Sequence, residues 1–336
     1  MPRTTESIFQ KPPSRKVAFY APGGGVQTFE DGLELLNRSE KTADIYDEVG
    51  DATGVDVREV CRSKVVIEDP AVMQTTNVAV GYARANALNE VGVYPNFVIG
   101  VSSGEFTAAA ITRAMALYDT AQAAFQRGTD QQEEAGGLGG GFVVFHDRRA
   151  PSRKVKRAIT SALADFEHSH LGGDHTPLKT MVTYATAEKE DLSRVLSEIP
   201  GVKRVLNLNG LLYPPHGKFV AGTQGKLETL IESLHKDGRI KDATVEMIST
   251  RTAKPMKKAR TIGRSLVLQT TQPTNLRGGV TYVVNRGVLD HYDLGAGNSM
   301  SNSLEDFDLG VDALIHPVGD YELPGSRHGS NNEDAA

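Results

Sequence analysis

Short apolar runs alternate along this chain with longer stretches whose apolar residues recur at helical spacing. Lys16-Val17-Ala18-Phe19-Tyr20 is the first short run and predicts a strand. It leads directly into the glycine-rich segment Ala21 to Gln27. Phe29 to Tyr46 reads as a helix. Thr75 to Val91 reads as another, with Val78, Val80, Ala83, Ala87 and Leu88 among its apolar residues. Asn96-Phe97-Val98-Ile99 is a second strand. It ends on Gly100-Val101-Ser102-Ser103-Gly104, beyond which the Ala-rich segment Glu105 to Ile111 predicts a helix. Tyr118 to Arg127 is a further helix. Strands feeding glycine-rich loops and then helices open an α/β fold.

The pattern then changes. Glu134 to Gly141 is dense in glycine and reads as a flexible linker, followed by the strand Phe142 to Phe145. Arg153 to Phe166 reads as a helix, Met181 to Tyr184 as a strand, Lys189 to Ile199 as a helix and Val202 to Leu208 as a strand. This β-α-β-α-β run resembles an inserted ferredoxin-like subdomain. From Leu211 the chain returns to the larger unit. Asp320 to Ala336 is polar and rich in Gly, Ser, Asn and Glu, which predicts a frayed tail.

Composition narrows the function classes. The chain has 336 residues, 39% of them hydrophobic, enough for a sizeable core. Net charge is −5, from 37 basic and 42 acidic residues, so there is no global basic footprint for nucleic acid. The single cysteine, Cys61, excludes an internal disulfide and fits a reducing compartment. No apolar run approaches the ~20 residues of a membrane span. Met1 to Arg15 is polar and lacks the apolar stretch of a signal peptide. The expectation is a soluble, cytoplasmic protein with no metal and no bound cofactor.

The chemistry concentrates at Gly100 to Gly104. Strand, tight turn and helix, with Ser102 at the apex, are the setting that a G-x-S-x-G nucleophile elbow needs. Glycines let the backbones pass closely, and the amide after the serine sits at a helix N-terminus, where it stabilises a developing oxyanion. The bland alternative is a serine-capped glycine turn. A serine nucleophile needs a base, and nine histidines compete for that role. His168, His170 and His175 lie in a polar Gly/Asp segment that reads as a solvated loop rather than a metal cluster. His235 falls on a polar helix face. His216 follows Leu211-Leu212-Tyr213-Pro214-Pro215, where two prolines fix its approach. On its own it is either a catalytic base or a packed turn histidine. The Ala21 to Gln27 loop is neither a G-x-G-x-x-G fingerprint nor a P-loop.

Six segments taken in order resemble a known family, the malonyl-CoA:acyl carrier protein transacylases and the acyltransferase domains of polyketide synthases. Pro22-Gly23-Gly24-Gly25-Val26-Gln27 is similar to that family's P-G-Q-G-S-Q loop, and Gly100 to Glu105 to its G-H-S-x-G-E. Arg127-Gly128 stands at the spacing of its helix arginine, and Tyr213 to His216 resembles the motif ending in its histidine. Gln272-Pro273 resembles its later N-P dipeptide and Leu294 to Gly297 its V-G-P-G turn. The resemblance spans about residues 16 to 310. Val101, Gly24, Val26, Ser103 and Pro215 depart from the motifs. Gly139-Gly140-Gly141 stands where the family often carries a pocket methionine, which predicts a roomier acyl pocket.

The resemblance implies the roles. Ser102 is the acylated nucleophile and His216 its base, oriented through a backbone carbonyl assigned to Gln272. Gln27 and the Ser103 amide form the oxyanion hole. Arg127 holds the free carboxylate of a malonyl-type acyl group through a guanidinium fork. Substrates carry CoA or phosphopantetheine thioesters. The partner is an acidic acyl carrier protein, and it is expected to meet the basic stretch Arg148, Arg149, Arg153, Lys154, Lys156 and Arg157, or Lys254, Lys257, Lys258, Arg260 and Arg264. The implied fold is α/β: an α/β-hydrolase-like large domain, 1–138 and 210–319, with an inserted ferredoxin-like small subdomain, 139–209, and a flexible tail, 320–336. The rivals are an acyl-thioester hydrolase on the same elbow and a non-catalytic carrier-docking module.

Overall fold

The computed structural model describes residues 15–25, 28–208, 211 and 213–317. The expected tail, 320–336, lies outside the described residues. The first strand is β1 (Lys16–Ala21), followed by helices α1 (Asp31–Arg38), α2 (Lys41–Thr53), α3 (Val57–Ser63) and α4 (Pro70–Glu90). Then come β2 (Phe97–Gly100), α5 (Gly104–Ile111) and α6 (Leu117–Ala135). The middle of the chain forms β3 (Gly139–His146), α7 (Ser152–Leu163), β4 (His170–Thr176), β5 (Lys179–Ala185), α8 (Lys189–Glu198) and β6 (Val202–Asn207). The remainder comprises α9 (Ala221–Lys236), β7 (Glu246–Ser249), β8 (Lys254–Met256), α10 (Ala259–Leu268), α11 (Leu276–Val284), β9 (Val288–Asp293), α12 (Ser301–Leu304) and β10 (Leu314–His316).

Two sheets result. The large one has six strands in the order β10-β9-β1-β2-β7-β8, parallel except for the last pair. Strand alternation sends successive residues of β1 to opposite faces. Phe19 joins the core under α2, α4, α5 and α6, while Ala18 and Tyr20 pack with Val280 and Val283 of α11. Helix α4 is buried on nearly every side, and it buries the polar side chains of Gln74, Thr75, Thr76 and Arg84 as well as apolar ones. Asp69 caps its start by accepting from the Ala71 and Val72 amides, and Pro70 sits in its first turn. The second sheet has the order β4-β5-β3-β6, all antiparallel, with α7 and α8 packed on one face. This β-α-β-β-α-β order is ferredoxin-like.

Several elements differ from the sequence reading. Phe29 to Tyr46 is not one helix. It breaks at Ser39, whose backbone is extended (φ −142°, ψ 123°), giving α1 and α2. The segment around His170 and His175 is the strand β4, not a loop, so the small unit carries one strand more than expected. The glycine-rich linker is likewise structured. Helix α6 runs to Ala135, and Gly139 to Gly141 form the start of β3, paired with β5. Close approach explains those glycines better than flexibility does. A Cβ on Gly140 would sit 2.6 Å from the Tyr184 hydroxyl and 2.9 Å from the Leu211 carbonyl.

Candidate active site

The large parallel sheet brings the loops after β1, β2 and β9 together at the carboxyl ends of adjacent strands, where open α/β sheets bind ligands. A cavity of about 420 Å³ lies there, lined by Gly23, Val101, Ser102, His175, Met181 and His216 among others. Ser102 stands at the apex between β2 and α5 with φ 51°, a left-handed conformation that a serine adopts at a cost of about 1–3 kcal/mol. The flanking glycines permit it. A Cβ on Gly100 would lie 2.5 Å from the Glu105 backbone, and one on Gly104 would lie 2.5 Å from the Pro22 carbonyl. Serine at a strained strand-to-helix turn is the arrangement of a nucleophile elbow. The Ser103 amide begins α5 and has no backbone partner among the described residues, so it is free to meet an oxyanion. Gln27, the other expected oxyanion donor, lies outside the described residues.

His216 is buried and also has positive φ, 58°. Two bonds to the small sheet hold its segment: the Thr183 hydroxyl donates to the Pro215 carbonyl at 2.8 Å, and His170 Nε2 to the His216 carbonyl at 2.5 Å. Its Nδ1 donates to the backbone carbonyl of Gln269 at 2.7 Å. That bond fixes the tautomer and leaves Nε2 without a proton, as a general base requires. The orienting carbonyl is therefore Gln269, not Gln272. Gln272 lies one turn further on, with its side chain accepting from Arg251 at 3.1 Å. Burial first, and the charge of Arg127 second, lower the His216 pKa to about 3.

Arg127 is 1% exposed on α6, so it is no surface arginine. Its Nη1 donates to the Gln74 side chain at 2.6 Å and its Nε to Thr270 at 3.3 Å. The Gln74 side chain also bonds the Tyr213 hydroxyl. Among the described residues no carboxylate forms an ion pair with Arg127. Burial lowers its pKa, while Tyr213 and Glu105 act in the opposite sense from a distance. A guanidinium buried without an anion is costly unless a ligand supplies the charge. Sequence reasoning missed Gln74 and Thr270, which aim this side chain. Nothing in the local pattern joins residue 74 to residue 127. Met181 and Leu211 were missed as well. They press on the Gly141 Cα position, at 3.1 and 3.2 Å from a built Cβ, and line the cavity, so they fill volume that the glycine triplet leaves open.

Of the remaining candidates His175 lines the cavity, whereas Arg127, Gln272 and the two basic stretches do not. Only part of each basic stretch is helical: Arg153, Lys154, Lys156 and Arg157 lie on α7 and Arg260 and Arg264 on α10, while Lys254 lies in β8 and Arg148, Arg149, Lys257 and Lys258 precede the helices. Lys156 pairs with Asp174, and Lys258 with Asp242 at 2.8 Å. Among the described residues no cluster of His, Cys, Asp and Glu is arranged to hold a metal. Burial pushes the Cys61 thiol up to about 12, which removes it as a nucleophile. Among the same residues no helix is long and apolar enough to cross a membrane.

Comparison with known proteins agrees with the motifs. No family model matches the chain. It is 23% identical over 297 residues to a malonyl CoA-acyl carrier protein transacylase of Bacillus subtilis, covering 85% of this chain and 88% of the relative. It is 27% identical over 228 residues to the pikromycin polyketide synthase component PikAIII of Streptomyces venezuelae, covering 65% of this chain and 14% of that much longer protein. Among solved structures, an acyl-carrier-protein S-malonyltransferase from Burkholderia pseudomallei superimposes with a TM-score of 0.79 at 20% identity, over 91% of this chain and 97% of the other. The chain is thus similar in sequence to malonyl transacylases and polyketide acyltransferase domains, and it has the fold of these transacylases.

Proposed function

We propose that this protein is a serine acyltransferase of fatty-acid or polyketide synthesis. It takes a malonyl-type acyl group from a CoA or carrier thioester and passes it to an acyl carrier protein, in the cytoplasm. His216 Nε2 removes the proton of Ser102 Oγ as that oxygen attacks the thioester carbonyl. The Ser103 amide receives the oxyanion, and the collapsing intermediate expels the thiolate, which takes the proton from His216. An acyl-Ser102 ester remains. The thiol of the carrier's phosphopantetheine then repeats the sequence in reverse, so the kinetics are ping-pong.

The observation that carries the malonyl reading is Arg127: a buried guanidinium without a carboxylate partner, near enough to lower the basicity of His216. Leaving a substrate carboxylate unpaired there costs about 2–4 kcal/mol. Arg127→Ala should depress malonyl transfer roughly 30- to 1,000-fold while sparing acetyl transfer. Rates to a holo carrier protein from malonyl-CoA and acetyl-CoA, for both proteins, test this. Equal loss with both donors would make Arg127 structural. Release of free malonate without transfer would favour a hydrolase.

A further inference from the structure

One side of the cavity is built from two loops, and a buried ion pair remote from the reacting groups grips one of them. Gly23, Gly24 and Thr28 line the cavity after β1, and Ala296, Gly297 and Met300 line it after β9. The two loops touch: a Cβ on Gly295 would lie 2.5 Å from the Pro22 ring. Asp293 holds the second loop from within, accepting from the amides of Gly295, Met300 and Ser301 at 2.7, 2.9 and 2.8 Å. The turn between those bonds is held from outside. Arg84 of α4 is 1% exposed. Its Nη1 donates to the Leu294 carbonyl at 3.0 Å, and its Nη2 lies 2.8 Å from Asp31 Oδ2 at the start of α1. The same Asp31 oxygen accepts from the Gly297 amide at 3.1 Å. One pair thus fastens the loop at residues 294 and 297 to two helices.

A buried guanidinium–carboxylate pair adds little net stability, because lost hydration offsets much of the attraction. It does fix direction, through charge-assisted bonds of defined geometry. What it fixes here is a wall of the cavity that holds Ser102; Asp31 and Arg84 themselves do not line that cavity. The wall bears on the choice between the two acceptors open to an acyl-Ser102 ester. Water adds to the ester carbonyl and gives a proton to His216; Ser102 Oγ then leaves and takes that proton, and the free acid results. A carrier thiol reacts by the same steps. Ser102 and His216 serve both acceptors alike, so discrimination falls to how closely the walls exclude water.

We infer that Asp31 and Arg84 are positioning residues that keep the 294–300 wall closed to water, so that acyl-Ser102 lasts until a thiol arrives. This rests on the acyltransferase reading. The test acylates wild type, Asp31→Ala, Asp31→Asn, Arg84→Met and the Asp31→Ala/Arg84→Met double variant with malonyl-CoA and removes excess donor. Loss of the malonyl mass is then followed without thiol and after addition of a holo carrier protein. Asp31→Ala and Arg84→Met should each shorten the half-life in water about 3- to 10-fold, as loss of one hydrogen bond does, with little change in transfer to the thiol. The double variant should be no worse than the poorer single, since the two residues act as a unit. Asp31→Asn, whose side-chain oxygen still accepts from the Gly297 amide, should recover part of the loss. The Asp31 side chain is 25% exposed, so its variants test the claim even if Arg84→Met does not fold. A wild-type half-life in folded Asp31→Ala would overturn the assignment. So would a smaller acylated fraction that decays at the wild-type rate, which is what a role in stability alone gives. Wild type that takes no malonyl group, or passes none to a carrier thiol, would instead overturn the reading beneath it.

Discussion

His216 shows how one residue is tuned by its surroundings. Burial and the Arg127 charge both disfavour its protonated form and bring its pKa to about 3. The neutral base therefore persists as pH falls from 8 to 5. Acylation should stay flat over that window, where a histidine near its ordinary value of about 6.5 would lose most of its base form. Removing the neighbouring charge with Arg127→Ala should move the acid limb upward. Single-turnover acylation between pH 4 and pH 8 reads both effects. A wild-type limb centred near pH 6.5 would contradict this account. His216→Ala should cost on the order of 10²–10⁴-fold in acylation, the usual scale of general-base assistance.

At the scale of elements, the elbow depends on β2 and α5 meeting with no side chain between them. A Cβ on Gly100 would press on the backbone of Glu105, which cannot rotate away. Gly100→Ala should cost about 1–3 kcal/mol of stability, as overpacking does, and displace Ser102. Denaturant unfolding alongside acylation measures this; unchanged values for both would show that the turn has slack. Much of this element was legible in the sequence, because strand, glycine, serine, glycine and helix are contiguous. The ferredoxin-like unit was legible for the same reason, apart from β4, whose polar composition hid a strand. Gly139 to Gly141 were misread, since close packing on Tyr184 and Leu211 is a tertiary demand that composition does not display. Gln269 and Gln272 are one helical turn apart. Which carbonyl reaches His216 depends on where α10 ends.

At the scale of the whole molecule, Glu105 ties the elbow to β7 and α10. It is buried, and it accepts from the Thr250 amide at 3.1 Å and from the Ser265 hydroxyl at 2.9 Å. Burial raises its pKa from 4.5 to about 7 against the opposing effect of those bonds and of Arg251. The folded state thus holds this proton more tightly than the unfolded chain. The resulting stability is full below pH 4.5 and is lost as pH rises through 7. Glu105→Gln should flatten that dependence, worth up to about 3 kcal/mol between pH 5 and pH 8. Urea unfolding at the two pH values checks it, and an unaltered difference would assign the dependence elsewhere. The central claim concerns Ser102, which the sheet places at the mouth of β2 with His216 beside the same cavity. Intact-mass spectrometry after incubation with malonyl-CoA tests it most directly. Wild type should gain one malonyl mass that maps to the peptide containing Ser102, and Ser102→Ala should gain none. Acylation that persists in Ser102→Ala would contradict the account.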